Sequence, residues 1–256
     1  MTLVLVEDRD GVRYLSMNRP RQHNAMNDAL VDALLDQLEF ARNADATVIV
    51  LRGEGPSFSS GRDTGAIGEH RERGAIEQLR LSQSLTTSLS SLRKPVIAAL
   101  HGYVLGKACE LALAADIRIA ADNARIGLPE VDHGLVTDNG ATTRITLMAG
   151  PSRAKYLLMT GTAIDAGTAL SWGLVDRVVA SSELHHATHE LARTLAQKAP
   201  LALSMTKELV HQVHVAAIDA GMRSEGLAQL ALLASEDRQE ARRARREQRP
   251  PVFRNR

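Results

Sequence analysis

The chain has 256 residues, of which 44% are hydrophobic and 24% charged, with a formal net charge of +1. Those proportions are ordinary for a globular protein and exclude disordered, collagen-like and disulfide-scaffold classes. With only three Phe, three Tyr and one Trp, base-stacking platforms are scarce, and the near-zero charge gives no case for nucleic acid or a membrane surface.

In chain order, Leu3 to Glu7 and Val12 to Met17 are apolar-rich runs around Asp10-Gly11, a hairpin signal. Asn18-Arg19-Pro20 breaks the strand. Asn27 is a candidate N-cap for a helix to about Arg42, with Leu30, Leu34, Leu35 and Leu38 on one face. Thr47 to Leu51 reads as a strand buried on both faces, and a Gly-, Ser- and Pro-rich loop runs from Gly53 to Thr64. A long helix over Ala75 to Leu92 stops before Pro95. Val96 to Leu100 is the next strand, and His101 to Gly106 turns into a small-residue helix near Lys107 to Ala115. Ile117 to Ala121 is a strand, followed by a loop to Asp138. Helices are then expected at Ala141–Ala149, Ser152–Met159, Asp165–Ser171, Ser182–Lys198, Leu201–His211 and His214–Ala234, with a short strand at Val175–Val179 among them. Alternating strands and helices followed by helices alone predict an α/β fold with buried parallel strands and a helical C-terminal part.

The single Cys109 excludes internal disulfides and thiolate clusters and points to a reducing, cytoplasmic compartment. No run reaches the roughly 18 apolar residues of a membrane span. The start, MTLVLVEDRDG, lacks the basic-then-apolar order of a signal peptide. From Asp237 to Arg256 there are eight Arg against three acids, a basic tail on a mildly acidic body.

In open α/β sheets ligands sit at the carboxyl ends of strands. Two loops qualify: Ser57-Phe58-Ser59-Ser60-Gly61-Arg62-Asp63 and His101-Gly102-Tyr103-Val104-Leu105-Gly106-Lys107. Their small residues let a ligand approach the backbone, and together they can aim two backbone N–H donors at one oxygen. Lys107 opens a helix, where a cation opposes the helix dipole. It is either a surface lysine or one compensated by a nearby anion such as a phosphate or Glu110. Glu110 stands in the otherwise apolar Ala108-Cys109-Glu110-Leu111-Ala112, where core-side burial would raise its pKa. Glu130 and Asp138 complete three acids near these loops. His185-His186-x-x-His189 has no carboxylate in metalloprotease spacing, and no metal site is expected. No P-loop, Gly-x-Gly-x-x-Gly or Gly-x-Ser-x-Gly elbow is present.

At these loops the chain resembles the crotonase family of enoyl-CoA hydratases and isomerases. The likeness is carried by Lys94 to Ala121, KPVIAALHGYVLGKACELALAADIRIAA, by Asn123 to Val131, and by Thr160-Gly161 through Gly173 to Val179. It implies a spiral of ββα turns over residues 1–195, with a helical C-terminal trimerisation region and basic tail over 196–256, in one integrated domain. It further implies homotrimers or hexamers built from two trimers, and a coenzyme A thioester that is substrate rather than cofactor. The thioester oxygen would be held by the backbone N–H groups of Arg62 and Lys107, a position where many relatives have Gly. Ser60, Gly61, Asp63 and Gly106 would line the substrate site, and Phe253 and Arg254 would approach the CoA adenine and phosphates.

In the hydratases of that family two glutamates twenty positions apart hold and activate water, and Glu110 and Glu130 match both positions. One carboxylate takes a proton from water while its partner orients it or returns a proton to the α-carbon. Thr137-Asp138-Asn139-Gly140 replaces the Pro-Gly-Gly-Gly turn of many hydratases and is similar to dienoyl-CoA isomerases, whose acids at the Glu130 and Asp138 positions shuttle a proton. Asp138 otherwise reads as the cap of the helix starting near Ala141. The expected function is hydration of a 2-enoyl-CoA by Glu110 and Glu130. Double-bond isomerisation by Glu130 and Asp138 is the rival, with a non-catalytic binder of the same fold or a CoA-thioester hydrolase behind them.

Overall fold

The computed structural model describes residues 2–63 and 74–256. Asp10 and Gly11 both take positive φ, 55° and 76°, as a two-residue hairpin turn requires, and fold β1 (Val4–Arg9) back antiparallel on β2 (Val12–Met17). The elements that follow are α1 (Asp28–Asn43), β3 (Val48–Gly53), α2 (Ala75–Ser90), β4 (Val96–Leu100), β5 (Tyr103–Leu105), α3 (Lys107–Leu113), β6 (Ile117–Ala121) and β7 (Arg125–Gly127). After them come α4 (Ala141–Ala149), α5 (Pro151–Thr160), β8 (Ile164–Asp165), α6 (Ala166–Ser171), β9 (Arg177–Val179), α7 (Leu184–Ala196), α8 (Pro200–Leu233) and α9 (Glu236–Arg246).

The main sheet runs β1-β2-β3-β4-β6-β9 and is parallel from β2 onward. The central strands β3 and β4 are apolar almost throughout because both faces are covered. Val48 and Val50 join Val12, Tyr14, Ile97, Ala99 and Ile119 under Leu184 and Ala192 of α7. The alternate residues Ile49 and Leu51 join Leu15, Met17, Ala98 and Leu100 under Leu30, Leu34 and Leu38 of α1. Asn27 caps α1 as expected, its side chain accepting the Leu30 N–H.

A second sheet, β5-β7-β8, was not expected. Its strands span two or three residues, too short to show an alternation. It makes the winding regular: β4, β5 and α3 form one ββα turn, and β6, β7 and α4 the next. An isolated bridge between Ser59 and Val104 gives the turn of β3 and α2 the same form. Thr64, the expected end of the preceding loop, lies outside the described residues.

The two helices expected at Leu201–His211 and His214–Ala234 are one, α8, of 34 residues. Between them stand only Gln212 and Val213, neither of which breaks a helix. A further helix, α9, was overlooked: Ser235 accepts the Arg238 N–H as its N-cap, and a run dominated by Arg and Glu hides any apolar periodicity. The predicted strand Val175–Val179 is shorter, Arg177–Val179. Among the described residues no helix is long and apolar enough to cross a membrane.

Candidate active site

The two loops singled out by their small residues lie side by side. The Phe58 N–H donates to the His101 carbonyl at 2.8 Å, Ser59 N–H to Tyr103 at 2.9 Å and Leu105 N–H to the Ser59 carbonyl at 3.2 Å. Gly61, at φ +89°, packs against this seam: a Cβ there would overlap the Leu105 carbonyl oxygen and stand 3.4 Å from the Lys107 nitrogen. Only glycine allows that approach. The residues on either side of the contact are therefore Arg62 and Lys107, and among the described residues neither backbone N–H has an acceptor. Lys107 is the first residue of α3, whose leading N–H groups have no intrahelical partner.

Both residues line a pocket of about 850 Å³, open solvent at its mouth included. Ser60, Arg62, Gly106, Lys107, Glu110, Glu130 and Asp138 all line it, beside the apolar Leu79, Val136 and Leu233. Glu110 projects from α3 and is 1% exposed. Its Oε1 accepts the backbone N–H groups of Asp138 at 3.2 Å and Asn139 at 3.0 Å, and its Oε2 accepts Asn139 Nδ2 at 2.8 Å. Burial, then the negative charges of Asp138, Glu130 and Glu225, raise its pKa well above the ordinary range, against the pull of the Asn139 N–H.

Glu130 follows Pro129 at the start of a short 3-10 turn, Pro129–His133. Burial raises its pKa to about 8, opposed by its own backbone N–H and reinforced by Asp138 and Glu225. Its Oε2 is buried without a hydrogen-bond partner among the described residues. A Cβ on Gly106 would come within 2.9 Å of its Oε1, so Glu130 sits directly against the loop that leads into α3.

Asp138 does not cap α4, and that reading is corrected. The N-cap is Gly140, and the carboxylate that serves the helix start is Glu225 of α8. It accepts Gly140 N–H at 2.6 Å, Thr142 N–H at 2.8 Å and the Thr137 hydroxyl at 3.3 Å. Asp138 instead bonds Asn139 Nδ2 and approaches Gln229 Nε2 at 3.5 Å. Burial raises its pKa while Lys107 and Arg62 pull it down.

Lys107 is not a surface lysine: it is 6% exposed. Burial, then Arg62, lower its pKa to about 8, against Asp138, Glu110 and Asp28. Asp63 pairs with Arg19 at 3.0 Å rather than lining the pocket. Phe253 and Arg254 line a separate groove that shares Leu135 and Val136 with the pocket. His189 of the set-aside histidine cluster bonds the Tyr14 hydroxyl at 2.6 Å.

Asn139, Glu225 and Gln229 were not singled out from the sequence. A signal for Glu225 existed. Gly221 and Gly226 flank it inside a helix, and both mark close packing: a Cβ on Gly221 would overlap the Thr143 hydroxyl, and one on Gly226 would stand 3.0 Å from Leu79.

The Enoyl-CoA hydratase/isomerase family description matches residues 7–256. The chain belongs to the enoyl-CoA hydratase/isomerase family. It is 35% identical over the full length of both chains to the 2,3-dehydroadipyl-CoA hydratase of Escherichia coli. It is also 35% identical to the short-chain-enoyl-CoA hydratase of Clostridium acetobutylicum, covering 93% of this chain and 92% of that one. Its fold superposes on an enoyl-CoA hydratase/isomerase structure from Pseudoalteromonas atlantica with a TM-score of 0.92 at 28% identity, covering 98% of this chain and 100% of the other. The α/β spiral with its helical C-terminal region is thus the fold of this family.

Proposed function

We propose that this enoyl-CoA hydratase/isomerase family member adds water to a 2-enoyl-CoA thioester through an enolate. The observation that carries the reading is a buried Glu110–Glu130 pair beside two unspent backbone N–H groups. Like charges in one apolar site cannot both ionise cheaply, so the two carboxyl groups favour sharing a proton. Glu110, with N–H donors on both oxygens, takes the ionised role and accepts a proton from water. The hydroxide equivalent attacks the β-carbon, and the electron pair moves through the double bond onto the thioester oxygen. The N–H groups of Arg62 and Lys107 stabilise that oxyanion. Glu130, whose Oε2 has no other described partner, returns a proton to the α-carbon. Coenzyme A enters as part of the substrate, and the reading requires no other cofactor and no metal.

The hydratase names of the Escherichia coli and Clostridium acetobutylicum relatives support hydration. The test is loss of the conjugated ultraviolet absorbance of crotonyl-CoA on adding the purified protein. No change at any concentration overturns the reading. Asp138, free of the α4 cap, favours isomerisation as the second reading, tested on a 3,5-dienoyl-CoA. Release of free CoA thiol would instead mark a hydrolase, and binding without turnover a non-catalytic member.

The same reading carries an assembly of three copies, or of two such trimers, in a reducing cytoplasm. Support comes from the apolar face that α8 leaves uncovered, with Leu209 66% and Val213 74% exposed, and from the lone buried Cys109. Light scattering of the purified chain tests the assembly.

A further inference from the structure

Lys107 is a buried cation that makes no direct ion pair among the described residues, although Asp138 and Glu110 are near enough to act on it electrostatically. Its side chain is 6% exposed and lines the pocket. Among the described residues it makes no hydrogen bond, and no carboxylate comes within 4.0 Å of its ammonium. Glu110 cannot move to it without giving up the Asp138 and Asn139 N–H groups, and Asp138 is engaged by Asn139 and Gln229. A buried charge left unpaired is costly, and a site tolerates one where a ligand brings the opposite charge. A second cation points the same way. The Arg62 side chain lines the same pocket, and its nearest described carboxylate is Asp28 at 4.0 Å, a long contact.

The position of these cations fixes what they can read. On the reading above, Lys107 and Arg62 are the two residues whose backbone N–H groups hold the thioester oxygen. Both also line the pocket beside that centre, so their side chains stand within reach of the end of a short acyl chain. Leu79, Val136 and Leu233 offer methylene-compatible wall along that path, and Gln78 and Gln229 add neutral polar groups. An uncharged alkyl end would leave Lys107 buried and unpaired. A carboxylate would complete it, with the forked guanidinium of Arg62 as a further donor.

We propose that this pocket selects acyl chains ending in a carboxylate, the mono-CoA thioesters of short dicarboxylic acids, with Lys107 and Arg62 as the groups that bind the distal carboxylate. The proposal rests on the acyl-CoA reading above but not on hydration itself, so its test uses saturated, unreactive ligands. Calorimetric affinities are compared for matched pairs of equal carbon count: succinyl- with butyryl-CoA, glutaryl- with valeryl-CoA, and adipyl- with hexanoyl-CoA. In at least one pair the carboxylated ligand is expected to bind about 10-fold tighter or more, the scale of a charged hydrogen bond. Lys107→Met should reduce that preference to below about 2-fold while its backbone N–H is retained, and Lys107→Arg should restore most of it. Arg62→Met should weaken it in part. Equal affinities in every wild-type pair overturn the proposal, whatever the variants do. So does a preference that survives Lys107→Met. Should either variant fail to fold, the wild-type comparison still decides. Failure of the crotonyl-CoA assay would sink the hydratase reading and leave this result standing on its own.

Discussion

A methyl group on Gly61 would overlap the carbonyl oxygen of Leu105. That contact seats one loop directly on the other and so sets the spacing of the backbone at Arg62 and Lys107, the proposed donors to the thioester oxygen. Gly61→Ala must push the loops apart at backbone atoms, which cannot yield by rotating a side chain. Hydration of crotonyl-CoA should fall by about 100-fold or more, the size of losing one preorganised oxyanion donor. The fall should appear in kcat, with the far-ultraviolet circular dichroism spectrum kept. Activity within a factor of about three of wild type would remove these two N–H groups from the chemistry.

Glu110→Gln and Glu130→Gln keep shape and lose the ionisable oxygen. Each should lower kcat for hydration by about 100- to 10,000-fold, the range of one acid–base contribution. The double variant should fall little below the worse single one, because the pair moves one proton as a unit. Activity that survives both single changes would end the two-glutamate mechanism.

Glu130 also predicts how stability follows pH. Its ordinary value is 4.5, and in the folded protein it is raised to about 8 by burial. The folded state thus binds this proton more tightly than the unfolded chain. The group's contribution is fully present below about 4.5 and is lost as pH rises through about 8, leaving a buried charge above that. Glu130→Gln has no such loss. Its Tm relative to wild type should be higher at about pH 9 than at about pH 5, by roughly 2–4 °C for each kcal/mol recovered. A difference between variant and wild type that does not change with pH would show that Glu130 titrates normally.

Most of the main sheet was legible because its strands obey one rule. Residues such as Ile49 and Val50 are apolar on both faces and bounded by turn residues, so buried parallel strands follow from the sequence. The acids were legible for a local reason: Glu110 interrupts an apolar helix, and that pattern predicts the desolvation found there. What the sequence did not show is long-range. Glu225 lies 85 residues from Gly140, whose N–H it accepts. The sequence left Lys107 open between a surface and a compensated lysine, because nothing near it in the chain says that residues of α2 and α8 line the same pocket. Local spacing offers Asp138 as a cap beside its candidate catalytic role, but a distant carboxylate serves that helix start.

Glu225 accordingly carries a prediction of its own. It satisfies the first N–H groups of α4 across the interface with α8, and it is 6% exposed. Glu225→Ala strands those N–H groups in a site where no other described acceptor reaches them. The cost should be about 2–4 kcal/mol, combining a lost cap with unsatisfied buried donors. Because Asp138 and Asn139 immediately precede this helix start and hold Glu110, kcat should fall as well, by about 10-fold. Urea unfolding measures the first effect and crotonyl-CoA turnover the second. A variant of unchanged midpoint would mean that water replaces the carboxylate there.

The basic tail gives the last test. Asp237, at the start of α9, accepts the backbone N–H groups of Arg254 at 2.6 Å and Asn255 at 2.8 Å, pinning the end of the chain. The Arg254 guanidinium makes no ion pair among the described residues, and with Phe253 it borders a groove that reaches Leu135 and Val136 of the acyl pocket. A forked cation at the outer end of a path that begins at the thioester site suits the phosphates of CoA. Arg254→Ala should raise KM for crotonyl-CoA about 3- to 10-fold, with a smaller change in kcat, and the rise should shrink at high salt, where the phosphate contact is already screened. Asp237→Ala should do the same by releasing the segment while leaving every arginine in place. If Arg254→Ala leaves CoA-ester affinity unchanged at low salt, the net positive tail serves something other than the substrate's phosphates.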